Sequence, residues 1–293
     1  MEVLIREVAP GELPEAVDLY LAARHDMHMR QGHAPGPISE EDRVQNLRGY
    51  RHIHQTGILR VAEADGRLAG VCAAVVRDNL WFLSGFWVHP ALQGQGVGGP
   101  LLREVWNAGA ARGAETFCVW ASSDPTAMAT YMKRGMLPGY QILAFGGAVT
   151  AMPPAPAGYD EEELPLTTAV AFDERVRATG REVDHLYWQL LPGCSGTLVT
   201  RGEKPVGYFY RRGGVIGPVV WLEPADGGAV LALAIRQAAA GAPEIKLWAT
   251  GAVPDAIRIA LGAGLKLTGH SHFLTTAPFG LPDRYLPSGP LLY

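Results

Sequence analysis

The sequence predicts an α/β protein, a mixed sheet flanked by helices, laid out twice along the chain. Three observations predict it. Apolar stretches of strand length alternate with stretches of helical spacing in the order β-α-α-β-β-β-α-β-α-β over residues 1–147. Landmarks of that half return in the same order later: W-V-H-P-A at Trp87 and W-L-E-P-A at Trp221, W-A-S-S-D-P-T-A-M at Trp120 and W-A-T-G-A-V-P-D-A-I at Trp248, G-R-L-A-G-V at Gly66 and G-E-K-P-V-G-Y at Gly202. Between the halves lies M-P-P-A-P-A-G-Y-D-E-E-E, residues 152–163, whose prolines, glycine and acids read as a connector. At 293 residues the chain is long for one such domain and comfortable for two.

In the first half the pattern predicts a strand over 3–8, helices over 12–25 and 39–54, and a meander of strands over 58–64, 68–77 and 80–88. A helix over 97–112, a strand over 116–121, a helix over 125–134 and a strand over 137–147 follow. Gly57 and Gly66 punctuate the meander, and Gly113 and Gly135 stand where helix C-caps belong. The expected domains are 1–151 and 164–277, with 152–163 as linker and the proline-rich 278–293 as a tail.

The most informative stretch is V-H-P-A-L-Q-G-Q-G-V-G-G-P-L-L, residues 88–102. A glycine-rich turn from a strand into a helix exposes backbone N–H groups at the positive end of the helix dipole, which suits a phosphate or pyrophosphate. Two chemistries fit. Gly94-Gln95-Gly96-Val97-Gly98-Gly99 satisfies the dinucleotide pattern G-x-G-x-x-G, with Asp124 at a tolerable distance for a ribose. That turn, however, belongs to the first strand-helix unit of a domain and follows its strand almost directly. Here some 90 residues come first, and His89-Pro90-Ala91-Leu92-Gln93 intervene.

The second reading explains the extra residues. Val88-x-Pro90, Gln93-x-x-Gly96-x-Gly98 and Leu101-Leu102 resemble the acetyl-CoA pyrophosphate loop of the GNAT N-acetyltransferase superfamily. D-P-T-A-M-A-T-Y-M-K-R-G-M, residues 124–136, is similar to a later GNAT segment, with Ala127, Tyr131, Gly135 and Met136 in register. Asp124 stands where that family has Asn, and Met136 where it has Phe. The resemblance implies two tandem GNAT-like domains, each a mixed, mostly antiparallel sheet flanked by helices. It also implies acetyl-CoA as co-substrate, held by Trp87, Val88, Gln93, Gly94, Gln95, Gly96, Val97, Gly98, Gly99 and Asp124. A backbone N–H of Trp87 or Val88 would face the thioester carbonyl, and Tyr131 would protonate the leaving thiolate.

In the second half Asp226 alone separates Ala225 from Gly227, so the loop is shortened and an acid stands where a polyanion would dock. Ala260 occupies the position of Tyr131. The second copy is therefore expected to be degenerate, a structural or acceptor-shaping partner.

No carboxylate lies in 79–88 to act as general base; Ser84, His89, Asp124, an ordered water and, by resemblance to some multi-domain GNAT enzymes, the Tyr293 carboxylate are the candidates. R-H-D-M-H-M-R-Q-G-H, residues 24–33, lies between the first two helices, which in GNAT folds form the acceptor wall, so His25, Asp26 and His28 are candidate acceptor contacts; with His33 they also raise the question of a metal, and none is expected. The acceptor expected is a small-molecule amine.

Net charge −4 leaves no footprint for nucleic acid or anionic membrane, and no apolar run is long enough to span a bilayer. The first residues carry no basic stretch, so no signal peptide is expected. Cys72, Cys118 and Cys194 lack metal-ligand spacing and fit free thiols in a reducing cytoplasm. The alternatives are a non-catalytic acyl-CoA sensor and an NAD(P)-binding protein.

Overall fold

The structure, a computed structural model, describes residues 2–32 and 35–293. It divides into two compact units, Met1–Glu115 and Thr116–Tyr293.

The first unit contains β1 (Val3–Glu7), α1 (Leu13–Arg30), α2 (Glu40–Thr56), β2 (Ile58–Ala64), β3 (Arg67–Arg77), β4 (Leu80–Val88) and α3 (Gly98–Ala111). Its four strands pair antiparallel in chain order. Asp65 and Gly66 both take positive φ, the conformation that lets a two-residue turn follow the strand twist between β2 and β3. Ser39 and Asp42 cap α2 reciprocally: the Asp42 N–H donates to Ser39 Oγ and the Ser39 N–H to Asp42 Oδ2, both at 3.1 Å. Glycines let α3 lie close on the sheet. A Cβ on Gly109 would stand 2.2 Å from Trp81 Cδ1, and one on Gly98 2.9 Å from Phe86 Cζ.

Helix α1 runs five residues beyond the 25 that the pattern predicts. Asp26 and Arg30 pair at 3.0 Å one turn apart, and His28 and Arg30 in the last turn complement the helix dipole. His25, Asp26 and His28 therefore lie on a helix rather than between helices. His33 falls outside the described residues.

The second unit contains β5 (Thr116–Ala121), α4 (Pro125–Met132), β6 (Leu137–Gly147), β7 (Tyr159–Glu163), α5 (Leu166–Arg177), α6 (Glu182–Leu190), β8 (Cys194–Arg201), β9 (Lys204–Arg212), β10 (Val215–Trp221), α7 (Gly227–Gly241), β11 (Ile245–Thr250), α8 (Pro254–Gly262), β12 (Lys266–Thr275) and β13 (Tyr285–Leu286). From β7 onward the chain repeats β-α-α-β-β-β-α-β-α-β, the order of its first 147 residues. Each copy even places a short 3-10 turn after its third meander strand, at Pro90–Leu92 and Pro224–Asp226. The sheet of this unit runs β5-β12-β6-β11-β10-β9-β8-β7, with β13 on β10. The β10–β11 pair is parallel; the other described pairs are antiparallel. Its core includes Phe209, Val219, Trp221, Val230, Ile235 and Leu247.

Three segments differ from the expected layout. The last five residues of the 152–163 connector form β7, an acidic edge strand paired with β8; Tyr159 ties it inward by donating to Asp226 Oδ1 at 2.8 Å. The 278–293 tail adds β13 to the sheet and buries Leu292 and Tyr293. Strand β6 does not pair with β5: β12 lies between them, and β11 takes the other edge of β6.

Candidate functional site

In the first unit, β4 leads into the glycine loop. Opposite β3 the strand carries a bulge at Ser84, since Ala73 pairs with Gly85 and Ala74 with Leu83. The Ser84 hydroxyl is buried without a partner. His89 N–H donates to Ala69 O at 2.9 Å, so by strand alternation the Trp87 N–H also faces β3. The Val88 N–H faces the opposite edge. Of these two amides, only that of Val88 is turned away from β3.

The loop is held by its own side chains. Gln93 Nε2 donates to Val88 O at 3.1 Å, and Gln95 Nε2 to Ala91 O at 2.8 Å. Gly94 and Gly96 sit at φ 77° and 88°, where a side chain is strained. Gly94, Gly96 and Gly99 face open space, with nothing within 4 Å of a built Cβ. Val97 is buried beneath them. No side chain caps α3, and no acid stands in its first turn. An uncapped helix start with an open glycine cradle fits a pyrophosphate.

In the second unit, Asp124 N-caps α4. Its Oδ1 accepts from the N–H groups of Thr126 and Ala127 at 2.8 and 2.9 Å, so that oxygen is committed to the helix. Tyr131, one helix turn further than Ala127, is buried at 6% exposure. Ala260, its counterpart on α8, is also buried, so only the hydroxyl and ring are lost in the second copy.

The candidate bases fare differently. His89 Nδ1 accepts from the Ala91 N–H at 3.3 Å, which leaves Nε2 as the protonated nitrogen of the neutral ring. It offers a donor rather than a lone pair. The main-chain oxygen of Tyr293 accepts from Arg181 Nη1 at 3.1 Å in a buried cluster.

Sequence reasoning missed an aromatic group beside Trp87. The Tyr20 ring lies 5.3 Å from the Trp87 ring and 5.4 Å from that of Tyr50. Arg24 donates to the Tyr20 hydroxyl at 2.7 Å. Tyr20, Arg24 and His28 recur every four residues on α1, a spacing that could have found them. Among the described residues, no group of three or more His, Cys, Asp or Glu side chains is arranged to hold a metal ion.

Residues 21–136 match the family model for the Acetyltransferase (GNAT) family. A crystal structure of a candidate acetyltransferase from Pyrococcus horikoshii is similar over 99% of this chain and 96% of its own, with TM-score 0.78 and 16% identity. A GCN5-related N-acetyltransferase from Sphaerobacter thermophilus is similar over 95% and 97%, with TM-score 0.66 and 18% identity. A tandem GNAT protein from the clavulanic acid biosynthesis pathway covers 94% of this chain and 99% of its own, with TM-score 0.63 and 15% identity. No curated protein sequence matches the chain. The fold is thus a mixed sheet flanked by helices in the GNAT manner. Among the described residues no helix is long and apolar enough to cross a membrane.

Proposed function

We propose that the chain is an acetyl-CoA-dependent N-acetyltransferase acting on a small-molecule amine, with its chemistry in the first copy and a degenerate second copy. The observation that carries this reading is the uncapped start of α3 with Gly94, Gly96 and Gly99 open around it. Against dinucleotide binding stands the antiparallel pairing of β4 with β3 and the 3-10 turn that precedes the glycines.

When bound, acetyl-CoA supplies an activated acyl group on a thiol leaving group. The amides of the loop and of the first α3 turn would hold the pyrophosphate. The Val88 N–H would donate to the carbonyl oxygen as it gains charge, a kind of donor worth about 2.7–4 kcal/mol in other acyl-transfer enzymes. Tyr131 would donate its phenol proton to the departing sulfur, a general-acid contribution of about 10²–10⁴-fold. With His89 and the Tyr293 oxygen engaged as described, the attacking amine would lose its proton through an ordered water. His25, Asp26 and His28, with Tyr20 and Arg24, would line the acceptor side of α1.

Calorimetric titration of acetyl-CoA and of NADH into the wild type and Gly96→Glu tests this. Saturable one-site binding of acetyl-CoA that the variant loses is the expected result, and it opens a screen of amines by thiol release. Binding of NADH alone overturns the reading. Binding of acetyl-CoA without turnover on any amine would favour the acyl-CoA sensor.

A further inference from the structure

The second unit holds a cationic cleft that the proposed reaction does not use. Arg177, the last residue of α5, is only 5% exposed, yet its Nε and Nη1 have no hydrogen-bond partner. The buried carboxylate nearby is already taken. Asp173 Oδ2 accepts from Arg181 Nε and lies 3.0 Å from His185 Nε2, and its Oδ1 accepts from the Tyr208 hydroxyl. Arg181, also buried, thus has a carboxylate in direct contact, whereas Arg177 acts on Asp173 only through space and packs against ring faces. Its guanidinium carbon stands 4.5 Å from the Tyr285 ring centroid and 5.2 Å from that of Tyr293. Stacking favours a cation through the faces and leaves the in-plane N–H groups free to donate.

These groups line an open cleft with a cavity volume of about 10 Å³, room for one water-sized group at the guanidinium. Tyr140, Tyr285 and Tyr293 form its walls with Arg177, and the segment Phe279-Gly280-Leu281-Pro282 rims it. That rim is fixed over the end of α5: the Leu281 N–H donates to Val176 O at 2.6 Å, and Gly280 takes φ 57°. The Tyr285 hydroxyl accepts from Arg181 Nη1 at 3.2 Å, so its own proton remains to be donated. The other lining side chains, Val176, Phe279, Leu281 and Pro282, are apolar, which strengthens attraction to an anion that enters.

We propose that this cleft binds a compact monoanion on Arg177, either a halide or the carboxylate of a small organic acid. An unpartnered buried guanidinium destabilises the fold, and one negative charge at its free N–H groups removes that cost. The site is independent of the pyrophosphate loop and of any acyl transfer.

The test uses the full chain and reads binding rather than turnover. Its melting temperature is followed as sodium chloride, or separately sodium acetate, replaces sodium gluconate at constant ionic strength. A saturable rise on the order of 3 °C at tenfold saturation is expected for the wild type and not for Arg177→Gln. A rise with chloride alone assigns a halide site, and a rise with acetate assigns a carboxylate site; either supports the proposal. No saturable rise in the wild type, or equal rises in both proteins, overturns it. If Arg177→Gln does not fold, wild-type crystals soaked in bromide decide: an anomalous peak in contact with Arg177 Nε or Nη1 supports the site, and none at that position overturns it.

Discussion

Replacing Asp173 with Asn keeps the shape of the side chain and removes its charge. All the groups it serves are buried: Arg181 and His185 on Oδ2 and Tyr208 on Oδ1. An amide NH₂ on the Oδ2 side points a donor at the Arg181 donor, and on the Oδ1 side it forces the Tyr208 hydroxyl to turn from donor to acceptor. Either way Arg181 loses the counter-charge paired with its Nε and keeps only the Tyr293 oxygen at Nη1. Removing one partner of a buried pair costs about 3–5 kcal/mol, and losing hydrogen bonds to a charged group gives a similar figure of about 1.5–3 kcal/mol each. These overlap rather than add, so about 4 kcal/mol is expected, against a total stability of about 5–15 kcal/mol. Urea unfolding followed by tryptophan fluorescence measures it, with Arg181→Met and the double variant closing the cycle. The double variant should be more stable than Asp173→Asn alone, because it no longer buries an orphan charge. Burial opposes ionisation of Asp173, but Arg181, His185 and Arg177 outweigh it and hold the carboxyl below its usual 3.8. A depressed folded pKa adds stability that is complete above the unfolded value and fades as pH falls through the folded one. The gap between wild type and variant should therefore be flat near neutrality and narrow below about pH 4. A loss under about 1 kcal/mol, or a double variant as unstable as the sum of the singles, would refute the reasoning.

Tyr131→Phe should lower kcat by about 10²–10⁴-fold while leaving acetyl-CoA affinity unchanged in calorimetry; an unchanged kcat removes the tyrosine from the chemistry. Gly109→Ala should destabilise the first unit by about 1–3 kcal/mol in denaturant melts, despite the better helix propensity of Ala, because its Cβ would stand 2.2 Å from Trp81 Cδ1. Hydrogen bonds from Arg6 and the Ala9 N–H hold the Glu12 carboxyl down to about 2, so its contribution is complete above its ordinary 4.5 and is lost as pH falls toward 2; Glu12→Gln should flatten the melting temperature of the first unit against pH across that window. A fragment of residues 1–151 strips β11 and β12 from β6 and leaves it at least one open edge even if it takes the slot beside β5, so it should aggregate or expand on sizing chromatography where the full chain does not.

The glycine loop, the meander and the repeat were legible because each is written locally. Gly94, Gly96 and Gly98 announce a backbone that must approach a ligand or a neighbouring strand, and the landmark pairs fall on equivalent elements. The end of α1 was misjudged because the Asp26–Arg30 pair and the basic last turn extend a helix whose apolar spacing has already faded. The candidate bases were drawn by proximity in sequence, which does not register that the Ala91 N–H already occupies His89 Nδ1. Asp173, Arg177, Arg181 and His185 recur every four residues, which suggests one continuous helix. Ala178 at φ 56° breaks it, and the four side chains meet instead around a turn between two helices.

The strand exchange was illegible for a different reason. Strands β6 and β12 are the last strands of two similar copies, so either suits the slot beside β5, and no local pattern separates the outcomes. The consequence reaches the proposed chemistry. Strand β5 leads into Asp124 and the helix of Tyr131, and β12 holds its edge from His272↔Ala121 to Thr275↔Cys118. The Trp120 indole N–H donates to Ser271 Oγ, and His272 Nε2 lies 3.4 Å from Ser123 Oγ just before α4. A second copy without a glycine loop or a thiolate acid can thus still be required, since its last strand braces the strand that positions Tyr131. On the proposed reading, a second copy with a short loop at Asp226 can still serve the first, because β12 is needed beside β5 where that loop is not.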